Sequence, residues 1–259
     1  MVPRCLTIAT SDSGGGAGIQ ADLKAFAAAG CHGTSALVAL TAQSTVAVTA
    51  VHELPDEFIV AQLDAVFDDI GVDAAKTGML FSRRIIGLVA EYLAARRPQL
   101  VVDPVMIASS GAQLLQDDAV ETLVGRLFPL ATVVTPNLNE AEALTGRTGA
   151  PRRELAEALV DMGAAAAIVT GGHGDPAVDH LFDGTDHHEL PVERHDVPAT
   201  HGAGCTHSAT LAALLARGLP LPEAAEGAAR VASAAVRNGL VEIGAGEGPV
   251  DVFDLKGHT

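Results

Sequence analysis

A glycine-flanked cysteine stands late in the chain, in Thr200-His201-Gly202-Ala203-Gly204-Cys205-Thr206-His207-Ser208, just before an alanine-rich run with helical character. Two glycines let the backbone turn tightly and come close to a ligand. A helix starting there offers N–H groups without internal partners and the positive end of its dipole. Loop and helix start together suit an anion such as a phosphate. Cys205 lies in the same field, which favours thiolate over thiol. A helix start that merely holds a buried cysteine is the plainer alternative, and the nonapeptide alone does not exclude it.

Other residues could carry hard oxygen ligands or read a polar ring. Asn137 and Glu140 are three apart, so one helix turn puts both on one face. With Asp103, which follows a strand pattern, they form a donor set suited to magnesium carried on phosphates. The same pair fits a capping box, and the two uses remain open. Gln43 offers a donor and an acceptor on one amide, the complement of an exocyclic amine beside a ring nitrogen. Asp22 falls near the start of the first helical pattern, where it could support the dipole or accept a hydrogen bond from a polar substrate. The doublet His187-His188 reads as an exposed surface feature and not as a metal site.

Two phosphate motifs fail. Gly16-Ala17-Gly18-Ile19-Gln20-Ala21 has the glycine spacing of a dinucleotide fingerprint, but no Asp or Glu occurs between Asp22 and Glu53, where the ribose-binding acid belongs. A Walker loop needs Gly-Lys, and that pair is absent. Nucleotide phosphates must then rest on backbone N–H groups and a metal.

The elements that position these residues alternate. Strand patterns at residues 6–9, 35–40, 74–76, 100–102, 132–134 and 166–169 are separated by helical ones. The expected fold is α/β: three layers, a mostly parallel sheet with helices on both faces, and a small antiparallel edge at residues 178–184 and 189–194. Asp12, Gln43, Lys76, Asp103, Asn137 and His173 all fall just after strands. In an open parallel sheet that carboxyl edge is the ligand-binding edge. No linker or internal repeat divides the chain, so one domain over residues 1–259 is expected.

Of the 259 residues 48% are hydrophobic, enough for a full core, while aromatics make up only 3%. Alanine, valine and leucine must fill the interior. The net charge is −16, and Lys24, Lys76 and Lys256 are the only lysines, which argues against nucleic acid or an anionic membrane as partner. No apolar run is long enough for a bilayer. Cys5, Cys31 and Cys205 are odd in number and widely spaced, unlike a disulfide framework or a zinc site. A reduced, cytoplasmic protein is expected.

Taken together, Ser11-Asp12, Gly15-Gly16-Ala17-Gly18-Ile19-Gln20-Ala21-Asp22-Leu23-Lys24, Thr41-Ala42-Gln43, Lys76-Thr77-Gly78-Met79, Asp103-Pro104-Val105-Met106, Thr135-Pro136-Asn137-Leu138, Gly171-Gly172-His173 and the segment at Cys205 resemble the hydroxymethylpyrimidine/phosphomethylpyrimidine kinases of thiamine biosynthesis. The closing Gly246-x-Gly248-Pro249-Val250 fits as well, and the resemblance spans essentially the whole chain. It implies a ribokinase-like, ATP-dependent kinase, commonly a homodimer. The implied substrate is 4-amino-5-hydroxymethyl-2-methylpyrimidine, phosphorylated on its alcohol and again on the monophosphate.

The same resemblance assigns the residues. Gln43 reads the pyrimidine, with Asp22 and the backbone at Val105 near it. Cys205 is the base, and Gly202, Ala203 and Gly204 are the anion hole. Asn137, Glu140, Thr170 and Gly172 serve ATP, and Asn137 and Glu140 belong to the magnesium network, to which the donor set read above adds Asp103 beside Glu140. Departures from the family pattern are Ala203 for threonine, Thr10 for glycine, Ser13-Gly14 for Pro-Ser and Thr170 for lysine. The third is expected to loosen a turn, and the last removes a cationic contact to phosphates. A pyridoxal/pyridoxine kinase is the nearest alternative, and a non-catalytic pyrimidine-binding module the alternative from another class.

Overall fold

Cys5-Leu6-Thr7-Ile8-Ala9 is wholly buried and forms the middle of the first strand, β1 (Arg4–Asp12), in a computed structural model that describes residues 1–106, 117–171 and 177–258. The further strands are β2 (His32–Gln43), β3 (Val48–Glu53), β4 (Ala74–Thr77), β5 (Gln99–Val102), β6 (Val133–Val134), β7 (Ala167–Val169), β8 (Val178–Phe182) and β9 (His187–Pro191). The helices are α1 (Gly18–Ala28), α2 (Asp56–Ala65), α3 (Arg83–Arg96), α4 (Asp117–Thr122), α5 (Leu138–Thr145), α6 (Arg152–Asp161), α7 (Ala203–Ala216) and α8 (Leu221–Arg237).

One sheet contains all of these strands, in the order β3-β2-β1-β4-β5-β6-β7-β8-β9. From β2 to β7 neighbouring strands are parallel; β3, β8 and β9 are antiparallel margins. The chain passes from β1 to β2 on one side and then to β4 on the other, so the topological switch lies between β1 and β4. Ligands bind at the carboxyl ends beside such a switch. Asp12, Gln43, Asp103 and Asn137 stand at or just past strand ends there, as the sequence suggests, while Lys76 is the penultimate residue of β4.

Alternation along each strand divides the interior in two. Leu6, Ile8, Leu100, Val102, Val134, Ala167 and Val169 pack with α2, α3, α4, α5 and α6. Cys5, Val101, Val133 and Ile168 face the other side, toward α1, α7 and α8. Helix α7 is buried from Thr206 through Ala213. It lies against α1, α8 and the strands β4 and β5, which explains a composition apolar on nearly every side.

Two expectations need correction. The strand β3 has no counterpart in the sequence reading, because most of its positions are at least partly solvated and it lacks a buried apolar run. It pairs with β2 and gives the sheet a second antiparallel margin. The doublet at β9 is also more enclosed than expected. His187 places Nδ1 2.9 Å from Nε2 of His180 and Nε2 3.0 Å from Oε1 of Glu157, and stacks on Phe182. His188 pairs with Asp183 at 3.2 Å. Among the described residues no group of three or more metal-type side chains forms, here or elsewhere.

Candidate active site

The loop between β1 and α1 is held by Asp12. Its Oδ1 accepts from the N–H of Gly14 at 2.7 Å, and its Oδ2 from those of Gly16 and Ala17 at 3.1 and 2.9 Å. Nε2 of His201 approaches the same Oδ2 at 3.1 Å. Burial opposes the carboxylate charge, yet His201 and the N–H groups of Ala17 and Gly14 outweigh it and hold Asp12 below its ordinary pKa. The turn expected to be loosened by Ser13-Gly14 is tied instead. Oγ of Ser13 donates to the carbonyl of Gln43 at 2.7 Å and accepts from its N–H at 2.8 Å. Thr10, the other departure here, is buried and donates its hydroxyl to the carbonyl of Met79 at 3.0 Å.

Gly202 caps α7 with φ 87°. Its N–H-rich first turn contains Ala203, Gly204 and Cys205. The N–H of Ala203 already donates to the carbonyl of Thr200 at 3.0 Å. Those of Gly204 and Cys205 belong to the first turn, where no helical acceptor exists. A Cβ added to Gly204 would meet nothing within 4 Å, so that side of the turn is open to a ligand. The anion-hole expectation thus rests on the N–H groups of Gly204 and Cys205 more than on that of Ala203.

Beneath this turn lies a buried charge cluster that sequence reasoning did not assemble. Lys76 is 0% exposed, and its Nζ is 2.9 and 3.1 Å from the two carboxylate oxygens of Asp22. Oδ2 of Asp103 is 3.6 Å away. Thr7 donates to Asp22 at 2.6 Å, and Ser208, one turn after Cys205, donates to Asp103 at 2.8 Å. Burial opposes the ammonium charge, and Asp22 first, with Asp103, outweighs it, so Lys76 stays protonated well above its ordinary value. Asp22, expected near the substrate, therefore has both oxygens engaged inside the protein. The signal in the sequence was Lys76 itself, since a lysine in a buried strand must be paired.

Cys205 keeps partial exposure in this setting. The expected thiolate is corrected here. Burial pushes its pKa up to about 12; Lys76 pulls it down, Asp22 and Asp103 push it up, and the N–H of Gly18 lowers it. Burial and the two carboxylates outweigh the helix end, and the thiol is the resting form at neutral pH.

Farther along the edge, Asn137 and Glu140 form the capping box of α5. Oδ1 of Asn137 accepts from the N–H of Glu140 at 3.0 Å, and Oε2 of Glu140 accepts from that of Asn137 at 2.9 Å. Oε1 of Glu140 also accepts from the N–H of Met106 at 3.3 Å. The Glu140 carboxyl is nonetheless pushed up to about 7, by burial and then by the charge of Asp103. A cation beside Glu140 and Asp103 would offset the negative charge that helps raise the Glu140 carboxyl, so the pair fits magnesium, with phosphate oxygens and water completing the shell. Thr170 joins the same place: its N–H donates to the carbonyl of Pro136 at 2.9 Å, and it bridges to Asn137. Gly172 and His173 lie outside the described residues. Val105, at the end of the Asp103 turn, donates its N–H to the carbonyl of Asp103 at 2.9 Å.

Gln43 ends β2 half-buried, with Nε2 3.4 Å from Nε2 of His201 and Oε1 3.2 Å from Oγ1 of Thr41. His201 thereby connects Gln43 to Gly202 and the head of α7. Its partner Gln43 is 158 positions away, so nothing local in the cysteine motif signals this part.

A parallel sheet whose switch point carries buried charges, an open helix start and a cysteine defines a small-molecule kinase of the ribokinase-like class. The profile of the phosphomethylpyrimidine kinase family matches residues 12–251, and the chain belongs to that family. The hydroxymethylpyrimidine/phosphomethylpyrimidine kinase of Rhizobium meliloti is 48% identical over 260 residues, 98% of each chain. Among solved structures, the pyridoxal kinase of Bacillus subtilis in complex with ADP superposes with a TM-score of 0.90 at 37% identity, covering 99% of each chain. The phosphomethylpyrimidine kinase of Clostridium difficile superposes with 0.81 at 40% identity, over 90% of this chain and 99% of that one.

Proposed function

We propose that this protein transfers the terminal phosphoryl group of ATP first to the alcohol of 4-amino-5-hydroxymethyl-2-methylpyrimidine and then to the resulting monophosphate. The observation that carries the reading is the contact between Gln43 and His201. It joins a two-point amide reader to the residue just before Gly202, so ring recognition and the helix start belong to one continuous surface.

Gln43 reads the amine and adjacent ring nitrogen, with the backbone at Val105 and the Asp22 region closing the pocket. Gly202, Ala203 and Gly204 shape the turn of the anion hole, in which the N–H groups of Gly204 and Cys205 stabilise negative charge on the transferring group. Cys205 acts in the first step from its thiolate form, taking the alcohol proton to become the thiol as the alkoxide oxygen attacks the phosphoryl group. In the second step the acceptor phosphate already carries a lone pair free of any proton, and no base is needed. Asn137, Glu140, Thr170 and Gly172 hold the nucleotide. Magnesium held by Asp103 and Glu140 would neutralise charge on the phosphates. One sheet linking β1 to β9 supports a single domain over residues 1–259. A cytoplasmic homodimer follows from the family resemblance.

A panel of hydroxymethylpyrimidine, its monophosphate and pyridoxal, each with ATP and magnesium, tests the reading. Turnover of both pyrimidines with little turnover of pyridoxal is expected. Preferential turnover of pyridoxal would establish the second reading, a pyridoxal kinase, which the superposition on the Bacillus subtilis enzyme favours.

A further inference from the structure

The two ends of a carboxamide have the same shape, so the surrounding hydrogen bonds decide which end is oxygen. Around Gln43 they do so twice. Oγ1 of Thr41 carries a single proton and lies 3.0 Å from the carbonyl oxygen of Ser11, which can only accept. That proton is spent on Ser11, so toward Gln43, 3.2 Å away, the hydroxyl presents a lone pair and needs a donor.

The other end gives the same answer. Nε2 of His201 faces Oδ2 of Asp12 at 3.1 Å, and Asp12 accepts three backbone N–H bonds, as an ionised carboxylate does. Nε2 of His201 must therefore bear a proton. That proton is spent on Asp12, so toward the end of the Gln43 amide 3.4 Å away Nε2 offers no lone pair, and an amide N–H placed there would have no acceptor. With the amide oxygen on Thr41 and the nitrogen on His201, two acceptors would face each other on one side and two donors on the other. Turned by half a rotation about its last torsion, the amide donates to the Thr41 lone pair and sets its oxygen, not an N–H, against the protonated Nε2 of His201.

We propose that Thr41 and His201 are positioning residues that lock the Gln43 amide with its nitrogen toward Thr41 and its oxygen toward His201, and that this lock selects 4-aminopyrimidines against 4-oxopyrimidines. The inference rests on Gln43 being the ring reader. Once locked, the amide has one N–H and one oxygen lone pair left, in a fixed order. An aminopyrimidine edge presents a donor amine beside an acceptor nitrogen and pairs with that order in one orientation, its amine on the His201 side. The 4-oxo edge presents an acceptor beside an N–H donor, the reverse order. An amide free to turn would accommodate either, whereas a locked one leaves two mismatched polar pairs with the oxo compound.

The experiment measures kcat/KM for the 4-amino substrate and its 4-oxo analogue in the parent, Thr41→Val, Thr41→Ser and Gln43→Ala. Thr41→Val should lower the amino-over-oxo ratio by about tenfold, the worth of one hydrogen bond, and Thr41→Ser should retain the parent ratio. An unchanged ratio in Thr41→Val, or an equal fall in Thr41→Ser, overturns the lock. If Gln43→Ala keeps full kcat/KM on the amino substrate, the ring-reader assignment itself has failed, a different outcome. The amide is also visible directly by NMR in the parent. Nuclear Overhauser effects from the Gln43 side-chain NH2 to the Thr41 methyl group are expected, and effects to the His201 ring in their place overturn the proposal whatever the variants do.

Discussion

The carbonyl oxygen of Gly16 occupies the place where a side chain on Gly202 would have to go, 1.8 Å from an ideal Cβ. The glycine loop after β1 and the cap of α7 are thus in backbone contact across most of the chain. Gly202 also holds φ at 87°, a conformation that L side chains rarely adopt. Gly202→Ala should therefore push the two loops apart. A stability loss of roughly 1–3 kcal/mol from backbone strain alone is expected, together with severe loss of kinase activity. Gly204→Ala is the control, because its added Cβ meets nothing within 4 Å and alanine suits a helix better. Urea unfolding of both variants decides; equal stability would show that the backbones do not meet as described.

The two phosphorylations should depend unequally on Cys205. With its pKa pushed up to about 12, the thiolate fraction grows about tenfold per pH unit over the alkaline range. The alcohol reaction should climb with pH accordingly. A phosphate monoester has a second pKa of about 6, so the monophosphate reaction should level off above neutrality. Cys205→Ala should cut the first rate by roughly 10²–10⁴, the usual worth of a positioned base, and the second mildly. Initial rates of both reactions against pH check this. Equal loss in both would make Cys205 a structural residue.

Glu140 gives a stability test with a definite sign. In the free protein its pKa rises from 4.5 to about 7, so the folded state retains a proton that the unfolded chain has released within that window. A raised carboxyl pKa means that stability is lost as pH climbs through the window, by about 3 kcal/mol for a shift of this size. Glu140→Gln remains neutral and does not share this loss. The variant should gain on the parent by that amount between about pH 5 and about pH 8. Magnesium with nucleotide should raise the Tm of the parent more than that of the variant. A parent–variant difference that does not vary with pH would mean that Glu140 keeps its ordinary pKa.

Gln43→Ala should weaken pyrimidine binding and leave ATP binding nearly unchanged. Removing one side of a two-point hydrogen bond costs roughly 2–3 kcal/mol, about 30- to 150-fold in affinity. Calorimetric titration with each ligand separates the two, and undiminished pyrimidine affinity would remove Gln43 from the site.

What could be read from the sequence was local. Asn137 and Glu140 announce a helix start by type and spacing, and the capping box is present. The polar residues after each strand reach one sheet edge because the parallel topology puts them there. The strand β3 escaped notice because solvated positions dilute its alternation. Lys76 sat in a recognised motif, but its partner Asp22 is 54 positions away, and no local pattern reports that distance. The thiol of Cys205 was misjudged for the same reason. A helix end is visible in a sequence, whereas the burial of the thiol, and after it the two carboxylates from α1 and the turn after β5, are set by the tertiary fold.

The ion pair under Cys205 also restricts how this enzyme can vary. Lys76 and Asp22 are each completely enclosed, and removing one partner of such a pair leaves an uncompensated charge that costs about 3–5 kcal/mol. A typical domain has only about 5–15 kcal/mol in total. A single substitution at either position would take a large share of that margin, while paired changes that remove both charges avoid leaving either of the two unpaired. Lys76 and Asp22 therefore form one unit of inheritance: a lineage or a mutant library crosses this part of sequence space at lower cost in double steps than in single ones.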